Sequence, residues 1–462
     1  MIVRLRGVIP GKRRSQVSRR GGLRSAAPEG LEHPALSEGK CQCEVGRIGA
    51  SVLSQKFIPR VRKATAGPST PSATADSAQD DSTIYSSNIG LGTHARHRGR
   101  RRRILVSMNS GLAVSVLDLV GMRVGESPAS AFARSVELAR NAERWGYRRY
   151  WLGEHHSIVG LADSATPVLV GHVAGATKRI RVGSGGVMLP NHPPLVVAEQ
   201  FGTLEALYPG RIDLGVGRAP GGDPHAMRAL GRDLGQRDAL SNHDAFSERL
   251  EELRGYLRAE KPGQTVRAIP GQGSNVPITL LGSSCWSAEL AARLGLPYAF
   301  GAQFAPEHRV EAAKLYREQF RPSETLRKPY LMMAVPVMAA ETDGAARRLF
   351  TTMQQRALSL IRNDAVALLP AVDSMQPLWS AAERVAIESR LAAAIVGSDW
   401  TVKAGLENLV RQTGADEVIV VTDAYEQADR LESYRRVAAI AAGMKTEPAR
   451  RKSPNALKRA TA

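Results

Sequence analysis

Between Leu112 and Ala442 the sequence repeatedly alternates a short apolar run of strand length with a longer stretch of helical periodicity. The strand candidates are Leu112–Leu119, Arg149–Gly153, a run starting at Ile180–Gly183, Ile212–Val216, Pro277–Leu281, Pro297–Phe300, Tyr330–Ala339 and Val418–Val421. Helices are expected over Pro128–Arg144, Asp163–Thr177, Pro194–Leu207, Ser284–Leu294, Pro306–Phe320 and Tyr425–Ala442. The first shows the logic. Ser127-Pro128 supplies an N-cap and a first-turn proline, and Phe132, Val136, Leu138, Ala139 and Ala142 form an apolar stripe. A polar insertion carries its own helix (Asp244–Leu257), and residues 363–398 read as a mostly helical insertion before the last strand. Eight strand-helix repeats predict an α/β chain folded as a (β/α)8 TIM barrel with insertions. A doubly wound open sheet is the alternative, but no G-x-G-x-x-G turn follows the first strand.

The chain has 462 residues, more than such a barrel needs. Its +19 formal charge is concentrated at the ends. Residues 1–107 hold roughly 20 basic against 7 acidic side chains, and the tail 446–462 adds about four net positive charges. The part between, 108–445, is therefore nearly neutral and is assigned as the folded domain. Stretches such as Ala64–Asp81 are low in complexity and too poor in apolar residues to offset their ordering entropy. Both ends are expected to be disordered basic segments. For the first, a translation start at Met108 is an equal account. The arginine run Arg96–Arg103 could bind nucleic acid by charge, but it lacks interleaved aromatic residues. Three cysteines (Cys41, Cys43, Cys285) cannot build a disulfide framework, which points to a reducing, cytoplasmic setting. No apolar run reaches the roughly 20 residues needed to span a bilayer.

Barrel enzymes place their chemistry where strands end. Glu154-His155-His156 follows the second strand, and a histidine there can move a proton near neutral pH; the plainer reading is a hydrogen-bonded or solvated ring. Adjacent histidines point to opposite sides of an extended chain, so no metal site is assigned. Gly183-Ser184-Gly185-Gly186 ends the third strand and suggests a bulge, or a backbone that something flat approaches closely; a plain turn is the alternative. Arg218 stands among glycines after the fourth strand, with a fork of donors suited to an anion. Gly282-Ser283-Ser284 ends the fifth strand and opens a helix, where backbone N–H groups and hydroxyls can hold a phosphate. Ordinary N-capping is the plainer role for the serines. Arg218, Ser283 and Ser284 come from neighbouring strands and together form a plausible phosphate pocket.

The strings WLGEHH, RVGSGGVMLPNHPPLVVAEQFGTLEALYPGRIDLGVGRAPG, LLGSSCWSAELAARLGLPYAF and RQTGADEVIV resemble the luciferase-like flavin monooxygenase family, in particular its small two-component FMN oxidoreductases. The likeness covers about Ala113 to Ala439. It implies that His155 is an acid/base group beside a flavin, with His156 its neighbour. It implies that Gly185 and Gly186 form a bulge packed on the flavin ring, often with a non-prolyl cis bond, and that Arg218, Ser283 and Ser284 hold the FMN phosphate. Met188 and Asn191-His192 would belong to the loop over the substrate side. Ala302-Gln303-Phe304 and Ser398-Asp399-Trp400-Thr401 stand where the family commonly has Ser-His-Phe and Ser-Pro-Glu-Thr.

The function implied by the resemblance is oxidation of a small organic substrate by O2 and reduced FMN, through a peroxyflavin, with the FMN reduced by a separate flavin reductase. The cofactor would carry the difficult step and the protein would orient and shield it. A homodimer is expected from the family alone. Two rivals remain. One is a deazaflavin-dependent hydride-transfer enzyme on the same barrel, which would favour a more basic mouth. The other is a nucleic-acid or surface-binding protein with an inactive barrel, acting through its basic ends.

Overall fold

The computed structural model describes residues 111–219, 224–231, 242–364 and 367–444. The basic segments 1–107 and 446–462, with Cys41, Cys43 and the arginine run, lie outside the described residues, as do Pro220, Gly221 and Gly222 of the loop after the fourth strand. In chain order the elements are β1 (Ala113–Asp118), α1 (Pro128–Trp145), β2 (Arg149–Leu152), α2 (Thr166–Ala176), β3 (Arg181–Met188), a single 3-10 turn (Leu189–Asn191), α3 (Pro194–Leu207) and β4 (Ile212–Gly217). There follow α4 (Pro224–Ala229), α5 (His243–Leu257), β5 (Ile278–Gly282), α6 (Cys285–Leu294), β6 (Tyr298–Gly301), a 3-10 turn (Pro306–His308) and α7 (Arg309–Glu318). The last elements are β7 (Leu331–Ala339), α8 (Asp343–Ile361), α9 (Ala381–Arg390), β8 (Ile395–Gly397), α10 (Asp399–Thr413), β9 (Glu417–Val421) and α11 (Gln427–Gly443).

Every strand pairing is parallel. β1 to β7 pair in sequence, and β9 closes the ring by pairing with both β7 and β1. The result is the eight-stranded parallel barrel that the repeats predicted, wrapped by helices. β8 is an addition outside the ring, paired only with the last three residues of β7. Inward-facing side chains fill the barrel and outward-facing ones meet the helices, so the strands read as nearly continuous apolar runs. All nine residues of β7 are buried.

Most predicted ends agree within a residue or two, and the differences have physical reasons. α2 starts at Thr166 rather than at Asp163, because the Asp163 carboxylate bonds to His155 instead of capping the helix. Residues 363–398 are not mostly helical. Among the described residues they hold one ten-residue helix, α9, and the three-residue strand β8. The rest is irregular chain, held where Thr351, Thr352 and Gln355 of α8 bond its backbone. The long helix is α8 itself, nineteen residues capped by Thr342.

At the face where strands begin, charge is buried and paired. Arg149 bonds Glu417 at 2.8 Å and Asp213 at 2.9 Å, and Glu417 also takes hydrogen bonds from Ser115 and Tyr330. Burial disfavours every one of these charges, and contact with Arg149, joined by Arg181 at Asp213 and Arg148 at Glu417, keeps both carboxylates ionised. That end of a barrel serves stability, and the opposite end is left for chemistry.

Candidate active site at the barrel mouth

The C-terminal ends of the strands open into a cavity of about 690 Å³. Its wall contains His155, Gly185, Gly186, Arg218, Ser283 and Ser284. Six of the seven residues singled out from the sequence thus meet around one space. The seventh, His156, does not line it.

β3 runs straight through its glycines. Its register against β4 shifts between Ser184 and Val187, so the expected bulge is present. The Gly185–Gly186 peptide is cis. A Cβ on Gly186 would come within 2.7 Å of the Gly215 carbonyl oxygen, so close approach of the β3 and β4 backbones requires glycine at this place.

The phosphate end is built from two strand exits. Arg218 follows β4, and its guanidinium lies 5.2 Å from the ring centre of Trp286. Trp286 in turn stacks on His243 at 4.0 Å and meets Phe246 edge-on, which is how a large side chain fits beside the turn. Burial lowers the pKa of Arg218, and burial followed by the charge of Arg218 lowers that of His243. Ser284 does serve as the N-cap of α6, in a reciprocal capping box with Ser287. Its hydroxyl accepts from the Ser287 N–H and also lies 3.3 Å from the Ser287 hydroxyl, where either oxygen can donate. An arginine, two hydroxyls and a helix N-terminus facing one space make a donor set suited to a phosphate.

Gln303, in the segment where the chain departs from the resembling family, lines the same cavity. Its Oε1 is buried and has no hydrogen-bond partner among the described residues, a vacancy that a bound N–H or O–H would fill. The two arginines on the other side of the mouth, Arg356 and Arg390, were not singled out from the sequence. Arg356 is paired with Asp423 at 2.6 Å; Arg390 is exposed. Finding them needed the long helix α8 and its successor to be placed.

His155 and His156 are separated by their partners. His155 Nδ1 lies 2.8 Å from the buried Asp163 carboxylate, which fixes the ring. Burial raises the pKa of Asp163, and the contact with His155 opposes that rise. His156 turns to Glu154, with Nε2 2.9 Å from Oε1. The ring of His192 reaches the same oxygen at 2.7 Å, while Met188 N–H donates to the other carboxylate oxygen at 3.0 Å. Burial alone would raise the pKa of Glu154, but the hydrogen bonds from both histidines hold it down at about 2. Met188 lines the cavity, and His192 is held at Glu154.

Comparison with known proteins adds an independent line. The family model described as luciferase-like monooxygenase matches residues 112–438. YvbT of Bacillus subtilis is 51% identical over 328 residues, covering 71% of this chain and 96% of that one. A luciferase-like monooxygenase of Escherichia coli K12 is 46% identical over 323 residues, 70% of this chain and 95% of its own. N-acetyl-S-alkylcysteine monooxygenase of B. subtilis is 37% identical over 243 residues, 51% of this chain and 70% of that protein. Among solved structures, apo-MsnO8 superposes with a TM-score of 0.66 at 37% identity, over 72% of this chain and all of that one. The oxygenating constituent of 3,6-diketocamphane monooxygenase with FMN has a TM-score of 0.56 at 19% identity, covering 73% of this chain and 99% of that one. An F420-dependent secondary alcohol dehydrogenase has 0.54 at 14%, covering 72% and 99%; these two show the shared fold alone. A match that runs through β1, the glycine bulge of β3, the Arg218 and Ser283–Ser284 turns and most of α11 places the chain in the luciferase-like monooxygenase family.

Proposed function

We propose that the protein is a flavin-dependent monooxygenase that takes reduced FMN from a separate reductase and uses O2 to oxidise a small, largely apolar organic substrate. The observation that carries this reading is the convergence of Arg218, Ser283 and Ser284 with the Gly185–Gly186 bulge and His155 on one cavity. The residues fit the cofactor. Arg218 and the Ser283–Ser284 turn would hold its phosphate, the bulged backbone at Gly185 and Gly186 lines the cavity where a flat ring would lie, and the unpartnered Gln303 Oε1 offers an acceptor. Bound reduced flavin supplies the electrons and the activation of O2.

The chain's own residues do the rest. Leu119, Val159, Met353, Leu360 and Leu391 give the remaining wall its apolar character, which favours an apolar substrate and excludes water. His155, held by Asp163, is placed to hold or move a proton at its ring nitrogen facing the cavity. The acid/base role is given to His155 alone, since the His156 ring is committed to Glu154. The monooxygenase names among the 46% and 37% identical relatives support oxygenation as the reaction class.

The deazaflavin reading keeps one observation in its favour, the exposed Arg390 on the rim, which suits a cofactor with an acidic tail. One experiment separates the two. The protein is mixed anaerobically with reduced FMN and then with oxygen. Under the proposal, reoxidation is slower than in buffer, and Arg218→Ala removes the effect by weakening FMN binding about tenfold to a hundredfold. Reoxidation as fast as in buffer, together with tight binding of a deazaflavin, would transfer the assignment to hydride transfer.

A further inference from the structure

The geometry points to a site for one divalent transition cation of the zinc class, held by Glu154, His156 and His192, at the edge of the cavity whose wall Glu154 joins. The loop leaving β2 supplies Glu154 and His156, and the segment after the 3-10 turn that follows β3 supplies His192. Their three ligand atoms, one carboxylate oxygen and two imidazole nitrogens, all lie within 4.8 Å of one another. Both Nε2 atoms aim at the same Oε1, at 2.9 and 2.7 Å. Two imidazoles from separate segments converging on one carboxylate oxygen is the donor set and the arrangement that a cation of this class takes.

The remaining features suit that role. The other oxygen of Glu154 is occupied by the Met188 N–H, which orients the carboxylate and leaves Oε1 for the ion. The Glu154 side chain is only 2% exposed, whereas those of His156 and His192 are 16% and 30% exposed, so an ion can enter from solvent. The backbone of His192 is itself fixed, because Arg249 donates to its carbonyl oxygen at 2.6 Å. In a tetrahedral zinc site with bonds of about 2.0 to 2.1 Å, neighbouring ligand atoms stand about 3.3 Å apart. The two Glu154–histidine contacts therefore need to open by about half an ångström, and the two imidazole nitrogens, within 4.8 Å of each other, to close by up to about 1.5 Å, movements that rotation of two loop side chains can supply. Three protein ligands leave a fourth position for water. Imidazole nitrogen with a single carboxylate favours zinc, cobalt or nickel over magnesium or calcium, which prefer more oxygen ligands.

The alternative occupant is a proton on each ring, with Glu154 simply accepting two hydrogen bonds. The two states differ in a measurable way. The site does not depend on the flavin reading, and the test uses no flavin. The full-length chain, freed of metal with a chelator and carrying Cys41→Ser and Cys43→Ser to remove competing thiols, is titrated with Co2+ and Zn2+. The expected result is one equivalent bound in the micromolar range or tighter, a tetrahedral Co2+ absorption band, and affinity lowered at least tenfold in both His192→Ala and His156→Ala. His308→Ala, an exposed histidine elsewhere, leaves the binding unchanged. Thermal melts show whether the variants remain folded, and His192→Ala, which alters the more exposed ring, keeps the test usable if His156→Ala does not fold. Absence of saturable binding at micromolar metal overturns the proposal. So does binding of the same strength in a folded His192→Ala protein.

Discussion

At the scale of single residues, the mouth of the barrel shows how one side chain's role depends on what its neighbours have claimed. Arg218 lines the cavity with its guanidinium supported by the face of the Trp286 ring. Trp286→Ala should weaken FMN binding by about twofold to fivefold, the usual worth of one partly exposed cation–π contact. That is less than the loss expected for Arg218→Ala; flavin fluorescence titrations of both variants would show the order, and equal losses would mean that Trp286 does more than support the arginine. His155 and His156 make the same point. The sequence placed both after β2 and could not divide their roles, because the division is made by Asp163, seven residues beyond His156, and by His192, on another strand's exit. The sequence reading assigned no metal site because it weighed only the adjacent pair, whereas the proposed site draws on His192. His192 was visible in the string, but its direction was not.

Elements were legible where local signals and packing agreed. Ser127-Pro128, Thr342-Asp343 and Ser284 all mark real helix starts, since their side chains or rings satisfy first-turn demands whatever the tertiary fold does. The helix at Thr342 was nevertheless passed over, although Ala346, Phe350, Met353 and Ala357 give it an apolar stripe. Conversely, the alanine-rich run after Asn363 promised helix, and proline together with hydrogen bonds from α8 kept much of it irregular. Because α8 and α9 carry Arg356 and Arg390 to the rim, two of the three arginines lining the mouth went unread. The glycine bulge was the most legible element of the site, as glycine is expensive in a strand unless space demands it. Gly186→Ala should destabilise the protein by about 1 to 3 kcal/mol, since its Cβ would press on the Gly215 backbone. Gly217→Ala, with nothing nearer than 3.9 Å, should stay within about 0.5 kcal/mol. Urea melts of the two variants give the comparison; equal stability would mean that β3 can relax.

For the whole molecule, closure of the ring depends on buried charge at both ends of the first strand. Asp118, at the end of β1, accepts hydrogen bonds from the Tyr150 hydroxyl, from Arg430 of α11 at 2.7 Å and from the Val120 N–H at 2.9 Å. Burial would raise its pKa, but Arg430, Ser135 and Tyr150 lower it to about 2. A carboxyl held below its ordinary value of 3.8 contributes stability that is present above about pH 4 and is lost as pH falls through about 2. This carboxyl alone should be worth about 2 kcal/mol at neutral pH. Denaturation midpoints should fall between about pH 4 and pH 2, with a smaller fall in Asp118→Asn; an identical fall would assign acid sensitivity elsewhere. The sequence predicted the eight-fold closure but not this clasp, because Asp118 and Arg430 are 312 residues apart.

The same closure fixes where the described part of the chain begins and ends. Leu112 N–H donates to the carbonyl oxygen of Ala441 at 3.0 Å, so the start of β1 and the end of α11 meet at the face where the strands begin. Any fused domain, purification handle or surface tether joined at either point departs from the side facing away from the cavity. The barrel can therefore be immobilised or linked to a reductase through either junction with its mouth left open to solvent, and with the junctions adjacent it is also a candidate for circular permutation.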